Sequence, residues 1–451
     1  MNTRIVGCVG AFMVLSTCCT FAAPKYTCTD CDGGVCITEV KTDDDVVEIP
    51  SALNGKPVVS LGNCAFKGAE FMESVSIPSS VKRVQNYVFE RCKSLETVKI
   101  ADGVEELGNS AFRGCHALTS VTLPKSLITI SELAFDECDS LESIIIPSKV
   151  KIIGKNAFSS CKALKTVTIE NGVMEIGEDA FTECVALESI VIPSSVKKIG
   201  LTAFRKCTAL KSVKIEEGAE TICAGAFAKC KSLKTAEFAG SITEYEEEIF
   251  DGCESLESLK IGDGATKIGK SICADCAKLK EVVLPKTLKA IPSSAFKGCT
   301  SLTSIVIPEG VKEINSSAFE GCKSLDGVII PASVKTIKIG AFCKCAALKS
   351  LTISEGVKEI CNYAFGDCVA LKAVTIPKSV KKLDPNAFKG CPAFSGSETK
   401  SEASISTGNG AQHSAEIAPE TKKPIEADRE SPISSRDVKR RLGNTVRKFG
   451  F

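Results

Sequence analysis

The 451-residue sequence contains no tryptophan, two histidines and four methionines. Histidine is the commonest acid–base group of enzymes, so that chemistry is poorly supplied here. His116 sits in a short turn between Cys115 and Leu118, and His413 lies in a polar tail. Neither has the setting of a catalytic triad. The patterns G-x-x-x-x-G-K-[ST], H-E-x-x-H and G-x-S-x-G are all missing. A non-catalytic protein is expected, with no cofactor and no metal. Neither charge sign dominates: 56 basic and 55 acidic residues leave a formal net charge of +1, so there is no global field to attract nucleic acid. Beyond the N-terminus no segment is long and apolar enough to span a bilayer as a helix.

What is present is a 23-residue clock. Phe occupies positions 66, 89, 112, 135, 158, 181, 204, 227 and 250, Cys273 replaces it once, and Phe returns at 296, 319, 342, 365 and 388. Fifteen units hold the register without an insertion or deletion. Three residues after each stands a cysteine, from Cys92 to Cys391, with Ala69 the exception in the first unit. Leu usually follows three further on, as at Leu95 and Leu118, and then paired apolar positions such as Val98/Ile100, often closed by Pro.

A fixed period of this length specifies a solenoid, in which each unit buries its apolar face only against its neighbours. The stretch Leu-x-x-Val-x-Ile ends in the alternation of a short strand, and Pro terminates it because it has no N–H for the ladder. The segment Ala-Phe-x-x-Cys-x-x-Leu has the i, i+3 spacing of a short helical or 3₁₀ turn with one inward face. The expected fold is an α/β-type solenoid of about fifteen coils of 23 residues, each a short strand plus a short helical or 3₁₀ turn.

These residues resemble a known family. "IGKNAFSSCKALKTVTIENGV" and "IPSSVKKIGLTAFRKCTALKSVKI" are similar to the BspA-type, or treponemal-type, leucine-rich repeat, over roughly residues 46–394. The resemblance implies a surface or secreted protein that adheres to host or matrix proteins, with no catalytic residues in the motif.

The cysteine ladder invites a disulfide reading, but equivalent residues of stacked coils have parallel Cα–Cβ vectors about 5 Å apart, and a disulfide needs Cβ atoms inclined together at about 3.8 Å. Packed free thiols are expected, cysteine being small and readily buried. "CADC" at 273–276 mimics a redox pair, yet the phase accounts for it: Cys276 is the ladder residue and Cys273 stands in for a ring. Losing that ring should cost about 2–4 kcal/mol and make this coil the weakest. Outside the period, "CTDCDGGVC" supplies Cys28, Cys31 and Cys36. With Cys64 they are candidates for a disulfide-stapled cap; a zinc site is the other reading, but no histidine follows.

Strand residues between core positions point outward, usually on the concave face of a solenoid. One outward column is rich in Ser and Thr, from Ser74 and Thr97 to Ser350, as suits a half-exposed sheet. The next column varies more, and its apolar members Ile145, Val191, Val283, Val306 and Ile329 are the candidate partner-binding residues. The last three are successive and should form an exposed stripe, of the kind that marks an interaction site.

The chain divides into a signal peptide (1–23), an N-terminal cap and first strand (24–60), the repeats (61–394), a disordered linker (395–435) and a basic amphipathic segment (436–451). Arg4, an apolar run from Ile5 to Leu15 and small residues up to Ala23 have the layout of an export signal. A loose lipobox ending at Cys18 is the alternative, which would anchor the protein by a lipid. The linker has too little apolar content to form a core. In the terminal segment Val438, Leu442, Val446 and Phe449 would share one helix face, available for an anionic membrane or envelope contact. Two functions follow: an exported, cell-surface or secreted protein that binds a protein or glycan on another cell or matrix, or a periplasmic or envelope scaffold docked by its tail.

Overall fold

The computed structural model describes residues 25–392. The expected export signal, Cys18, the expected linker and the basic segment lie outside the described residues. Within them, most coils carry a longer and a shorter strand, and each kind pairs in parallel with its counterpart in the next coil over long runs.

The coil containing Thr97–Ile100 illustrates why. Val98 and Ile100 point inward and are buried, while Thr97 and Lys99 face solvent, the period-2 alternation of a strand with one covered face. Thr97 pairs with Ser74 behind and Ser120 ahead, so the register advances by one 23-residue unit per coil. After a tight turn the chain forms Glu106–Leu107, whose Leu107 closes the core from a second side. Eight of these short strands join four N-terminal strands in one twelve-stranded sheet, and further on five more build a second sheet. The longer strands build sheets of four, seven and two strands.

The third side is not helical, contrary to the expectation from the i, i+3 spacing. No helix occurs among the described residues. The reason lies in the backbone at the two positions flanking each Phe. Tyr87 and Arg91, two residues before and after Phe89, have φ of 60° and 60°, and the same pair of positions is left-handed in coil after coil. Reversals of hand prevent successive turns from propagating into a helix. The donors go elsewhere: Tyr87, Phe89 and Arg91 give their N–H groups to the carbonyls of Asn109, Ala111 and Arg113 in the next coil. Thus the third side is also laddered, by turns rather than strands.

Inside, the Phe rings form a stacked column. The first seven ring-to-ring distances, Phe66–Phe89 through Phe204–Phe227, run from 4.9 to 5.3 Å. The thiols form a second column, and all the described cysteines are free. Each ladder thiol also donates to a carbonyl of the preceding coil: Cys92 Sγ to Phe66 O at 3.1 Å, Cys184 Sγ to Phe158 O at 3.2 Å, and likewise to Cys391. Cysteine therefore supplies a weak donor for a buried carbonyl as well as a small apolar body.

At the N-terminal end an antiparallel hairpin, Lys25–Cys31 with Gly34–Lys41, covers the first coil. Its second strand pairs in parallel with Lys56–Leu61, and Val35 and Ile37 are buried. The apolar end of the stack is thereby closed, as a repeat array requires.

Candidate binding surface

The outer face of the longer strands is the extended surface not consumed by packing. Its Ser/Thr column stands as expected, with Thr166, Ser189, Ser212 and Thr235 in direct register. In the neighbouring column all five apolar candidates are exposed: Ile145 59%, Val191 49%, Val283 43%, Val306 81% and Ile329 67%. The structure does not join them into one patch. Ile145 and Val191 stand on either side of Thr168, and Lys214, Glu237 and Lys260 separate them from Val283. Val283, Val306 and Ile329 occupy three consecutive coils, with Ser304 bridged to Gly327 alongside. Beside Val306 and Ile329 the Ser/Thr column offers only Ser304 and the side-chain-free Gly327, whereas Glu281 stands beside Val283.

Charges elsewhere on this face are neutralised from coil to coil. Lys211 Nζ lies 2.8 Å from Glu188 and Lys280 Nζ 3.2 Å from Glu257, while Lys260 pairs with Glu237. Such exposed pairs add little stability, but they leave no strong field of either sign. A shallow groove of about 560 Å³ opens beside Val191, lined by Thr166, Thr168, Glu170, Asn171, Ser189 and Glu216. The phase of the repeat did not reveal it, because it depends on the turns after the strands. A usable signal was the exchange of the Pro turn for Glu-Asn-Gly at 170–172. Gly172 has φ of 135°, and a Cβ there would meet Ser148 O at 1.8 Å. The two acids are partly committed, since Glu170 accepts from Ser148 N at 2.9 Å and Glu216 from Ser194 N at 3.3 Å.

Most of the remaining reactive side chains are buried or ion-paired. Burial pushes the Cys92, Cys184 and Cys322 thiols up to about 12, far from the thiolate needed for nucleophilic or redox chemistry. Cys273 and Cys276 are both fully buried. His116 Nδ1 contacts Asp139 at 3.1 Å, and Lys162 reaches the other oxygen of that carboxylate, also at 3.1 Å, an inter-coil ion cluster with no nucleophile in it. Among the described residues no group of three or more His, Cys, Asp or Glu could hold a metal ion. Of the cap cysteines, Cys36 is buried, Cys28 half-buried, and Cys31 and Cys64 exposed. The hairpin pairs Cys28 with Ile37 and Thr29 with Cys36, which puts Cys31 on the same face as Cys36, one diagonal step away.

Residues 59–187, 174–288 and 266–395 match the sequence profile described as the BspA type leucine rich repeat region, with six copies. The chain belongs to the BspA-type leucine-rich repeat family. Its fold is similar to that of a leucine-rich repeat protein from Bacteroides ovatus, with 31% identity, a TM-score of 0.69, and coverage of 79% of this chain and 94% of that one. A leucine rich cell surface protein from Faecalibacterium prausnitzii is 30% identical, covering 73% of this chain and 93% of that one, with a TM-score of 0.47. No curated protein matches the sequence. BspA-type repeats form a fold often used for binding, and the outer strand face described above is where this member has side chains to spare. No helix among its described residues is long and apolar enough to cross a membrane.

Proposed function

We propose that this BspA-type repeat protein is exported and binds a macromolecular partner, a protein or glycan on another cell or matrix, through the outer face of its longer strands. The observation that carries the reading is the exposed stripe of Val283, Val306 and Ile329 on three consecutive coils. Contiguous exposed apolar side chains cost solubility and persist where a partner covers them. The hydroxyl-lined groove beside Val191 supplies polar contacts farther along the same face. Export rests on the N-terminal sequence, and the hairpin cysteines suit an oxidising compartment.

The test replaces all three stripe residues with Thr, which keeps the β-branched shape at an exposed strand position. Full-length wild type and variant are compared for binding to immobilised matrix proteins and to arrayed glycans. The expected result is at least about a tenfold weaker affinity, equivalent to about 1.4 kcal/mol, with an unchanged circular dichroism spectrum. Equal affinity in a folded variant removes the stripe from the binding site. Protease treatment of intact producing cells separates adhesion from an envelope scaffold: loss of the repeats supports adhesion, and their survival supports the scaffold.

A further inference from the structure

Three irregularities fall in the same stretch of coils. First, the ring column is broken where Cys273 replaces Phe. The spacing widens to 5.9 Å at Phe227–Phe250, and Phe250 turns to a different partner, Phe238 at 5.5 Å, which comes from a strand position. Second, both sheets part here. The short-strand sheet ends at Glu244–Tyr245 and resumes at Ala290–Ile291, skipping the coil of Cys273. The longer-strand sheet ends at Glu281–Val283, and residues 304–307 keep only the single bridge from Ser304 to Gly327. Third, Tyr245, the last residue before the short-strand gap, has a buried hydroxyl with no hydrogen-bond partner among the described residues. Such a group favours any state that lets water reach it.

The third side does not part. Phe250 N donates to Ile272 O at 2.8 Å, Cys273 N to Ala295 O at 2.9 Å and Asp275 N to Lys297 O at 2.8 Å, continuing the ladder of the regular coils. The short-strand side is therefore open between the coils of Phe250 and Cys273, and the longer-strand side between the coils of Cys273 and Phe296, while the third side stays tied across both junctions. A tied edge opposite two sides that open at successive junctions is the geometry of a pivot.

We propose that the repeat stack carries a hinge at the coil of Cys273, created by the missing ring. In regular coils a bend would pull apart a paired sheet and a column of stacked rings together; even where the longer strands Ser120–Thr122 and Ser143–Ile146 are unpaired, the short strands pair and Phe112 stacks on Phe135 at 5.1 Å. On each side of the Cys273 coil one sheet is already parted and the ring contact is absent, so opening there gives up less than in a regular coil. Val283 stands on one side of the parting in the longer-strand sheet and Val306 on the other. If the stripe is the contact surface, a point that rests on the function proposed above, a partner spanning both residues senses the hinge angle.

Hydrogen–deuterium exchange on the full chain tests this in the absence of any partner. Amides of residues 262–270 and 303–307 should exchange at least about tenfold faster than equivalent amides between 143 and 215, because local opening there breaks fewer contacts. Equal protection in the two regions overturns the hinge. Cys273→Phe should slow exchange in the fast region toward that of its neighbours; a folded variant with unchanged exchange overturns the missing ring as the cause. The reciprocal Phe181→Cys keeps the proposal testable should the added ring not be accommodated. It should create a new fast region around residues 166–192, and its failure to do so argues against the proposal. The triple Thr variant of the stripe distinguishes the two claims, since it should weaken partner binding at least about tenfold while leaving exchange in the free protein as in wild type.

Discussion

Replacing Phe181 by Ala measures what the ring column contributes to a regular coil. The side chain is fully buried, and its ring stacks on Phe158 at 5.3 Å and on Phe204 at 5.2 Å, with interplanar angles of 3° and 6°. Truncation loses the transfer free energy of the ring, about 1.5–3 kcal/mol. It also loses two aromatic contacts worth about 0.5–1.5 kcal/mol each beyond area. The backbone bonds survive, because Phe181 N still donates to Ala203 O and its carbonyl still accepts from Cys184 N and Cys207 Sγ. The expected loss is about 4 kcal/mol, within the usual range for a buried Phe→Ala. A long repeat array need not unfold in two states, so the assay is amide exchange rather than a single melting curve. Coils 166–192 should lose about 10³-fold in protection. Residues 327–360 should not change, since each coil contacts only its neighbours. A loss below about tenfold, or an equal loss in every coil, would refute the idea that the rings act as a local column.

Four further outcomes are expected. In the reduced protein, alkylation at pH 8 followed by peptide mapping should label Cys28, Cys31 and Cys64 quickly and the ladder thiols only on unfolding, since burial holds Cys92, Cys184 and Cys322 near about 12. Protein recovered from an oxidising compartment should show a Cys31–Cys36 link in non-reducing maps, and all four cap thiols found free would remove disulfides from the cap. Glu137 is exposed with φ of 59°, and Gly321 holds the same position of its coil with φ of 75°. Glu137→Gly should therefore raise stability and Gly321→Ala lower it, each by about 1 kcal/mol in denaturant titration. Burial lifts the Asp136, Asp179 and Asp251 carboxyls above their ordinary value despite partners such as Arg113 and Thr202. Their folded values exceed the unfolded value of about 3.9, so ionising them costs stability, which should recover as pH falls from the raised values to about 3.9. Replacing all three by Asn should flatten stability against pH in that window.

The inward columns were legible because the period never slips: Phe, Cys and Leu at fixed phase can only stack. The third side was misread because the spacing of Phe89, Cys92 and Leu95 fits a helical turn and a string of alternating turns equally well. What separates them is the hand of the backbone two residues either side of Phe89. Gly68, Gly114, Gly252, Gly298 and Gly321 at the second of these positions were a readable hint, but Arg91 and Glu137 hold the same conformation with nothing in their side chains to announce it. The donor role of the thiols was hidden for a related reason. A sequence shows that a cysteine recurs at a buried phase, not that the Phe carbonyl of the preceding coil faces it. The stripe was predictable in place but not in degree, since Val306 at 81% is nearly twice as exposed as Val283 at 43%, and the difference coincides with the parted sheet.

The division of labour among columns explains why recognition should concentrate in coils 281–330. In a stack held by rings, thiols and three ladders, each inward position is committed, and a substitution there is felt as lost packing. Outward positions carry no such duty, so their identity is free to follow a partner. Most outward charges are nevertheless occupied: the Glu188–Lys211, Glu237–Lys260 and Glu257–Lys280 pairs answer one another between coils and present little net field. A partner docking there would have to desolvate paired charges for small return. At Val283, Val306 and Ile329 the outward side chains are apolar, so covering them costs no such desolvation. That region also has a parted sheet beneath it, which lowers the conformational cost of adapting to a partner. Apolar surface and loosened backbone occurring together is what a recognition site needs and what a purely structural stack would have no reason to keep.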